Sequence, residues 1–416
     1  MPPVTLFLVC VAAIFLIGTF GEVVFTRTRV PDVIWLILAG ILIGPVLGLV
    51  TRLQLLDIAP YFTALTLVFV LFEGGCRLDL VQLYRATPRS VLLSVLNFAF
   101  STVAVMLVSR LMVETGLLPA AWTWRQELLT GAILGGTSPI VIMSTVSRIK
   151  VPSGAANLAS LESALSDVLC IVTVTFLVGV FGGAENVGTP WGALIRSLGL
   201  GIVLGAAGGS LWLLALSWLK QNERAYPITL SALLIMYVLV EGAGGSGALG
   251  VLSFAVVVGN AAHIGRIAKI EARLGLDDDA RGFHSQMVFI VKSFFFTFVG
   301  AMLGPPWGLV LAGALLSAVI LCARYPGSWL ALLKAPLDGM QRRFLFLAMP
   351  RGVAAGVLAT LPLAAGIPGT QELPPVVFAC VFGTILIFAA GFPLVLRAPE
   401  SSLKAGEALT PLERER

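Results

Sequence analysis

The feature that most restricts this chain is a succession of apolar runs, roughly 20 residues each, separated by short breaks rich in charge, Pro or Gly. Thirteen can be read, at about 4–26, 33–50, 60–76, 88–113, 128–148, 158–181, 192–219, 226–241, 246–263, 284–303, 307–323, 343–365 and 375–396. A helix of that length spans the hydrocarbon core of a bilayer. Only 12% of the 416 residues are charged while 58% are hydrophobic, too little charge to coat a soluble protein of this size. With 24 phenylalanines present, disorder is excluded as well. The expectation is an all-α polytopic membrane protein whose principal surroundings are lipid. Its net charge of +5 then belongs to loops facing a cytoplasm and not to a nucleic-acid surface.

The basic residues sort by loop. Of 27 Lys and Arg, 21 fall in odd-numbered loops and the tail, among them Arg27, Arg29, Arg148, Lys150, Arg324 and Arg342; four fall in even-numbered loops, namely Arg52, Arg110, Arg125 and Arg196. Lys292 and Arg351 lie within spans. That bias sets a cell-membrane orientation, of bacterial inner-membrane type, with the N-terminus outside and a short tail at 397–416 in the cytoplasm. The first run lacks a basic n-region and exceeds a signal peptide in length, so it reads as a span. Cys10, Cys76, Cys170, Cys322 and Cys380 are odd in number and scattered, mostly within spans, and act as apolar filler in place of a disulfide framework.

Thirteen spans divide into two six-helix repeats, about 1–181 and 226–396, joined by a linking helix at about 192–219. The second repeat is then upside down relative to the first, the plan of many secondary transporters. The corresponding fifth helix of each repeat is interrupted near mid-bilayer. Span 5 carries Gly135-Gly136-Thr137-Ser138-Pro139 and span 12 carries Pro350-Arg351-Gly352. Proline removes a backbone donor and clashes with the preceding turn, and freed backbone groups at that depth must line a cavity or be buried in protein. The architecture expected is two inverted repeats with crossed, interrupted helices 5 and 12.

Ionisable residues inside a bilayer cost about 2.5–3.5 kcal/mol each on insertion scales and mark function by default. Asp167 sits near the middle of span 6, with Ser163 four residues earlier on the same face. A carboxylate with a hydroxyl beside it offers oxygen ligands to a hard cation, or a place for a proton. Glu162 is turned about 100° from Ser163 and suits a structural ion pair with Arg351. Glu73, followed by Gly74-Gly75, either reaches the cation, attracts it from an inner vestibule, or is a solvated helix end. Lys292 either neutralises a carboxylate or snorkels to the inner surface. By contrast, Gly245-Ser246-Gly247-Ala248-Leu249-Gly250 lacks the strand a dinucleotide site needs. Asp277-Asp278-Asp279 reads as a solvated turn. His263 and His284, without an H-E-x-x-H pattern, form no zinc site. No serine–lysine or paired-aspartate constellation shares a depth, so an enzyme is not expected, nor any cofactor.

Arg29-Val30-Pro31 with Gly40-Ile41-Leu42-Ile43-Gly44-Pro45, Leu71-Phe72-Glu73-Gly74-Gly75 with Arg77-Leu78-Asp79-Leu80, Glu241 with Gly245-Ser246-Gly247, and Phe294-Phe295-Phe296 with Gly300 occur in an order and spacing that resembles the monovalent cation/proton antiporter family. The resemblance covers essentially all thirteen spans. It implies an exchanger in which Asp167 takes proton and cation in turn, Ser163, Thr137 and Glu73 supply further oxygens, and Glu162 pairs with Arg351 as in the electroneutral branch. It also implies a homodimer. Two positions depart from the family pattern: Ser166 stands where Asn or Asp usually precedes the key aspartate, and Ser138 replaces the aspartate of a common Thr-Asp-Pro motif. The expected activity is 1:1 electroneutral exchange of H+ for Na+, or for K+ or Li+, by alternating access. The alternative is a potassium efflux or channel-like pathway on the same scaffold.

Overall fold

The computed structural model describes residues 3–28, 32–78, 88–138, 141–142, 153–182, 190–219, 225–263 and 278–396. The far half of the fifth segment at 143–148, Pro139, Asp277 and the tail at 397–416 lie outside the described residues. The helices are α1 Pro3–Thr28, α2 Asp32–Ile41 (continuing as a π turn over Leu42–Val46), α3 Arg52–Arg77, α4 Pro88–Glu114, α5 Trp124–Ile133, α6 Ser153–Phe181, α7 Pro190–Leu219 and α8 Ala225–Gly242. They continue with α9 Gly247–Gly259, α10 Asp278–Ala301, α11 Trp307–Ala331, α12 Gly339–Leu347, α13 Val353–Leu358, α14 Leu361–Ala364 and α15 Leu373–Leu396.

Six of these helices are long and apolar enough to cross a membrane, and six further apolar stretches are shorter. Together they coincide with every expected span except the fifth, which is interrupted after Ile133. The turn at 243–246 between α8 and α9 falls where the sequence placed a split. On α11, Trp307 is 61% exposed at one end and Trp329 54% at the other. Twenty-two residues of helix separate them, about 33 Å, so the two rings mark the two interfaces of a bilayer.

Two boundaries differ most from the sequence reading, by eight residues each. The third helix starts at Arg52, eight residues early, because Thr51 caps it reciprocally with Gln54. The eleventh runs to Ala331, passing through Pro326, and so takes Arg324 out of the loop where its charge had placed it. Beyond Ala331, Arg342 donates to the carbonyls of Leu332, Ala335 and Leu337, and Asp338 caps α12. The connection between α11 and α12 is thereby held without regular structure.

The helices pack as two bundles. A core bundle holds α4, α5, α6, α11, α12, α13 and α15; a flanking bundle holds α1, α2, α3, α8, α9 and α10, with α7 laid along α9. The inverted repeat is visible in matched contacts. In the flanking bundle α2 packs on α10, and its repeat counterpart is α9 on α3. Both pairs meet backbone to backbone. A side chain at Gly40 would strike the Thr297 carbonyl, and one at Gly259 would strike the Cys76 carbonyl. Only glycine permits that approach.

Candidate ion-binding site

The two interrupted segments cross where both lose their helical hydrogen bonds. α5 ends at Ile133 and α12 at Leu347, leaving carbonyls without intrahelical donors. At the crossing, the Ser138 N–H donates to the Pro350 carbonyl at 2.8 Å. A Cβ at Gly352 would run into the Ser138 side chain, so the crossing tolerates no larger residue there.

Arg351 holds these broken ends. Its Nε donates to the Leu134 carbonyl at 2.7 Å, Nη2 to Gly135 at 3.4 Å and Nη1 to Met349 at 3.1 Å. Its backbone N–H donates to Thr384 Oγ1 on α15. One guanidinium thus serves the negative ends of two half-helices at once.

Glu162 is therefore not the partner of Arg351, contrary to the sequence expectation. Its Oε2 accepts from Arg324 Nη2 at 2.6 Å and its Oε1 from Asn97 Nδ2 at 3.1 Å. Arg324 also donates through Nε and Nη2 to the Leu345 carbonyl, and Ser328 Oγ donates to Asn97 Oδ1. Glu162 is fully buried and Arg324 is 1% exposed. The physical reason is reach: Arg351 is occupied by the carbonyls beside it, while α11 carries Arg324 past the buried carboxylate. The signal that concealed this was Arg324's charge, which marked a helix end in the sequence.

Ser166 and Ser163 support the unwound segment. The Thr137 N–H donates to Ser166 Oγ at 3.1 Å, Ser166 Oγ donates to the Ser163 carbonyl, and the Thr137 and Ser163 hydroxyls are 2.7 Å apart. Ser163 and Ser166 are buried behind Thr137 and are not among the residues lining the cavity described next.

A cavity of about 320 Å³ lies between the two bundles. It extends from Leu78 and Ser160, where α3 finishes and α6 begins, to Ile133 and Ile171. Aliphatic side chains form most of its wall. Its polar lining comes chiefly from Asp167, Thr137 and Ser138 of the core bundle and Glu73 of the flanking bundle. Among the described residues, none hydrogen-bonds to or ion-pairs with the Asp167 carboxylate, although the Arg351 charge acts on it through space.

Glu73 has a neighbour that the sequence reading set aside. Its Oε2 lies 2.6 Å from His284 Nε2, a close polar contact off the line of a regular hydrogen bond. His284 Nδ1 is hydrogen-bonded to the Tyr226 hydroxyl at 2.9 Å. Lys292 shares with Glu73 a separate pocket of about 10 Å³, room for one water, and does not line the larger cavity. In the sequence His284 reads only as a zinc ligand without partners; its place near the charged start of an apolar helix is the one signal for this role.

Two carboxylates and three hydroxyls, those of Thr137, Ser138 and Ser160, in an apolar enclosure are oxygen groups of the kind that a hard cation takes as ligands. The sodium/hydrogen exchanger transmembrane family profile matches residues 11–398. The chain is similar to the K(+)/H(+) antiporter NhaP2 of Shewanella oneidensis, 27% identical over 356 residues, 81% of this chain and 57% of that protein. It is also similar to the Na(+)/H(+) antiporter 1 of Methanocaldococcus jannaschii, 25% identical over 82% of this chain and 80% of that one. The chain thus spans little more than half the length of the Shewanella relative. Its fold is that of the structure of the sodium proton antiporter MjNhaP1 from M. jannaschii at pH 8, with a TM-score of 0.72, 21% identity and coverage of 97% and 99% of the two chains.

Proposed function

The chain belongs to the sodium/hydrogen exchanger family, and on that premise we propose that it is an antiporter exchanging one monovalent cation for one proton at Asp167 by alternating access. The observation that carries this reading is the Asp167 carboxylate, uncommitted to any described partner in a cavity beside two broken helices. Cation and proton compete for that carboxylate. Thr137, Ser138 and Glu73 supply the remaining protein oxygens from the cavity wall, while Ser163 and Ser166 hold Thr137 in place.

Charge conservation follows from the surroundings. Glu162 and Arg324 cancel within their own buried cluster, and Ser166 adds no second carboxylate. Arg351 stays charged throughout. The core bundle then carries the same charge with a proton on Asp167 as with a cation beside it, which makes exchange electroneutral. Sodium, potassium and lithium all accept these ligand types, and the named relatives include both a potassium/proton and a sodium/proton antiporter. By the alternation of basic loops in the sequence, the end of the cavity lined by Leu78 and Ser160 is the cytoplasmic one, in a protein that works as a dimer in a cell membrane.

Reconstituted protein should acidify or alkalinise dye-loaded vesicles when a cation gradient is applied, without a current at any imposed potential. Assays across sodium, potassium, lithium and rubidium identify the cation. A current reversing where two protons per cation balance would overturn the 1:1 stoichiometry. Cation flux without proton movement would overturn antiport.

A further inference from the structure

Asp167, Thr137 and Ser138 belong to the core bundle, but Glu73 does not. It sits on α3, and its described contacts reach further into the flanking bundle. His284 comes from α10 and Tyr226 from α8. The histidine is fixed on three sides: Tyr226 Oη at 2.9 Å from Nδ1, Glu73 Oε2 at 2.6 Å from Nε2, and the Phe72 ring packed edge-on with centroids 5.1 Å apart. The Tyr226 hydroxyl thus takes up Nδ1, and Nε2 is the ring nitrogen turned towards the carboxylate. His284 is 6% exposed and Tyr226 4%. These are buried polar groups whose partners set their orientation.

The hydrogen bonds that shape the other ligands stay within the core bundle. Thr137 is held by Ser166 of α6, Ser138 by Pro350, and the broken ends by Arg351. The cavity is thus lined by two sets of oxygens, each tied to its own bundle. Alternating access at a single site needs one bundle to move relative to the other. A ligand tied to the flanking bundle cannot follow Asp167 through that motion.

We propose that His284 and Tyr226 are positioning residues that fasten Glu73 to the flanking bundle, so that Glu73 ligates the cation in the state whose cavity reaches Leu78 and Ser160, and not in the opposite state. This rests on the exchange reading above. The consequence is a cation site with unequal composition on its two faces. Asp167 and Thr137 travel with the ion; Glu73 stays behind and is met only on one side. Detailed balance then requires that any loss of affinity on that face shift the loaded carrier, by the same factor, towards the other face.

The test measures the half-saturating cation concentration separately from each face, in everted and in right-side-out membrane vesicles containing the full chain. The probe is the chloride salt of whichever alkali cation the wild type exchanges. Glu73→Gln should raise the value about tenfold on the face where α3 ends, and Tyr226→Phe about threefold, with the opposite face changed by less than twofold. His284→Ala should behave like Glu73→Gln, whereas His284→Gln, which keeps a donor near Glu73, should recover most of the loss. Melting temperatures of the purified variants separate a folding defect from a binding one, and Tyr226→Phe, the least disruptive, decides if the others fail to fold. Equal shifts on both faces would overturn the proposal by showing that Glu73 accompanies Asp167. No shift on either face, with exchange intact, would overturn it by showing that Glu73 is not a ligand. A wild-type chain that exchanges nothing would instead sink the antiport reading itself.

Discussion

Glu162 and Asp167 lie five residues apart on one helix and live in opposite surroundings. Glu162 is enclosed by α4, α11 and α12, with both oxygens occupied, one by an amide and one by a guanidinium. Asp167 borders a cavity and has no described partner for its carboxylate. The first arrangement makes a charge permanent, because removing either member strands the other in a place water cannot reach. On the exchange reading proposed for this chain, the second leaves a charge exchangeable, because none of the described residues hydrogen-bonds to or ion-pairs with it. The same chemical group becomes structure or site according to which neighbour turns towards it.

Four substitutions can break or sharpen that contrast. Asp167→Asn should reduce proton-coupled cation exchange to the background of empty vesicles while leaving melting unchanged or slightly raised, since a desolvated charge is removed. Residual coupled flux in that variant would show that exchange does not depend on this carboxylate. Glu162→Gln should lower stability by about 3–5 kcal/mol, because it strands Arg324; thermal unfolding in detergent measures it. If Glu162→Gln melts like the wild type yet no longer transports, the two acids are not the opposites described. Arg351→Met should destabilise by about 1–3 kcal/mol for each carbonyl left without a donor, and the loss should not be rescued by Glu162→Gln, since the two side chains do not pair. A rescue in that double variant would restore the pairing expected from the sequence. Ser166→Ala removes a single acceptor from the Thr137 N–H and should cost about 1 kcal/mol with exchange retained at reduced rate. Complete loss of exchange in well-folded protein would make Ser166 a ligand and not a support.

Much of this was legible in the sequence because bilayer thickness and backbone hydrogen bonding act locally. The apolar runs, the basic-loop alternation, the matched breaks at 135–139 and 350–352 and the mid-span position of Asp167 each follow from a few neighbouring residues. Pairing is not local. Glu162 had two arginines within reach in principle, and only the path of α11 brings Arg324 to it. Arg324 also shows how a charge misleads as punctuation: an arginine that ends a span and one buried inside a span look alike until a partner is seen. His284 was hidden for a related reason. A lone histidine carries no pattern, and its meaning comes from Glu73 and Tyr226, which lie 211 and 58 residues away along the chain.

The reciprocal packing of α2 on α10 and of α9 on α3 has a consequence for synthesis. Neither repeat holds its own partners: the backbone of Gly40 fits against a helix made about 260 residues later. At roughly 5–20 residues per second, some ten to fifty seconds pass between insertion of the two surfaces. During that time α2 and α3 sit in lipid with their small-residue faces uncovered, and the first half waits in the bilayer as an open template. The ribosome delivers these halves in sequence, but the molecule closes only when the second is threaded between the helices of the first.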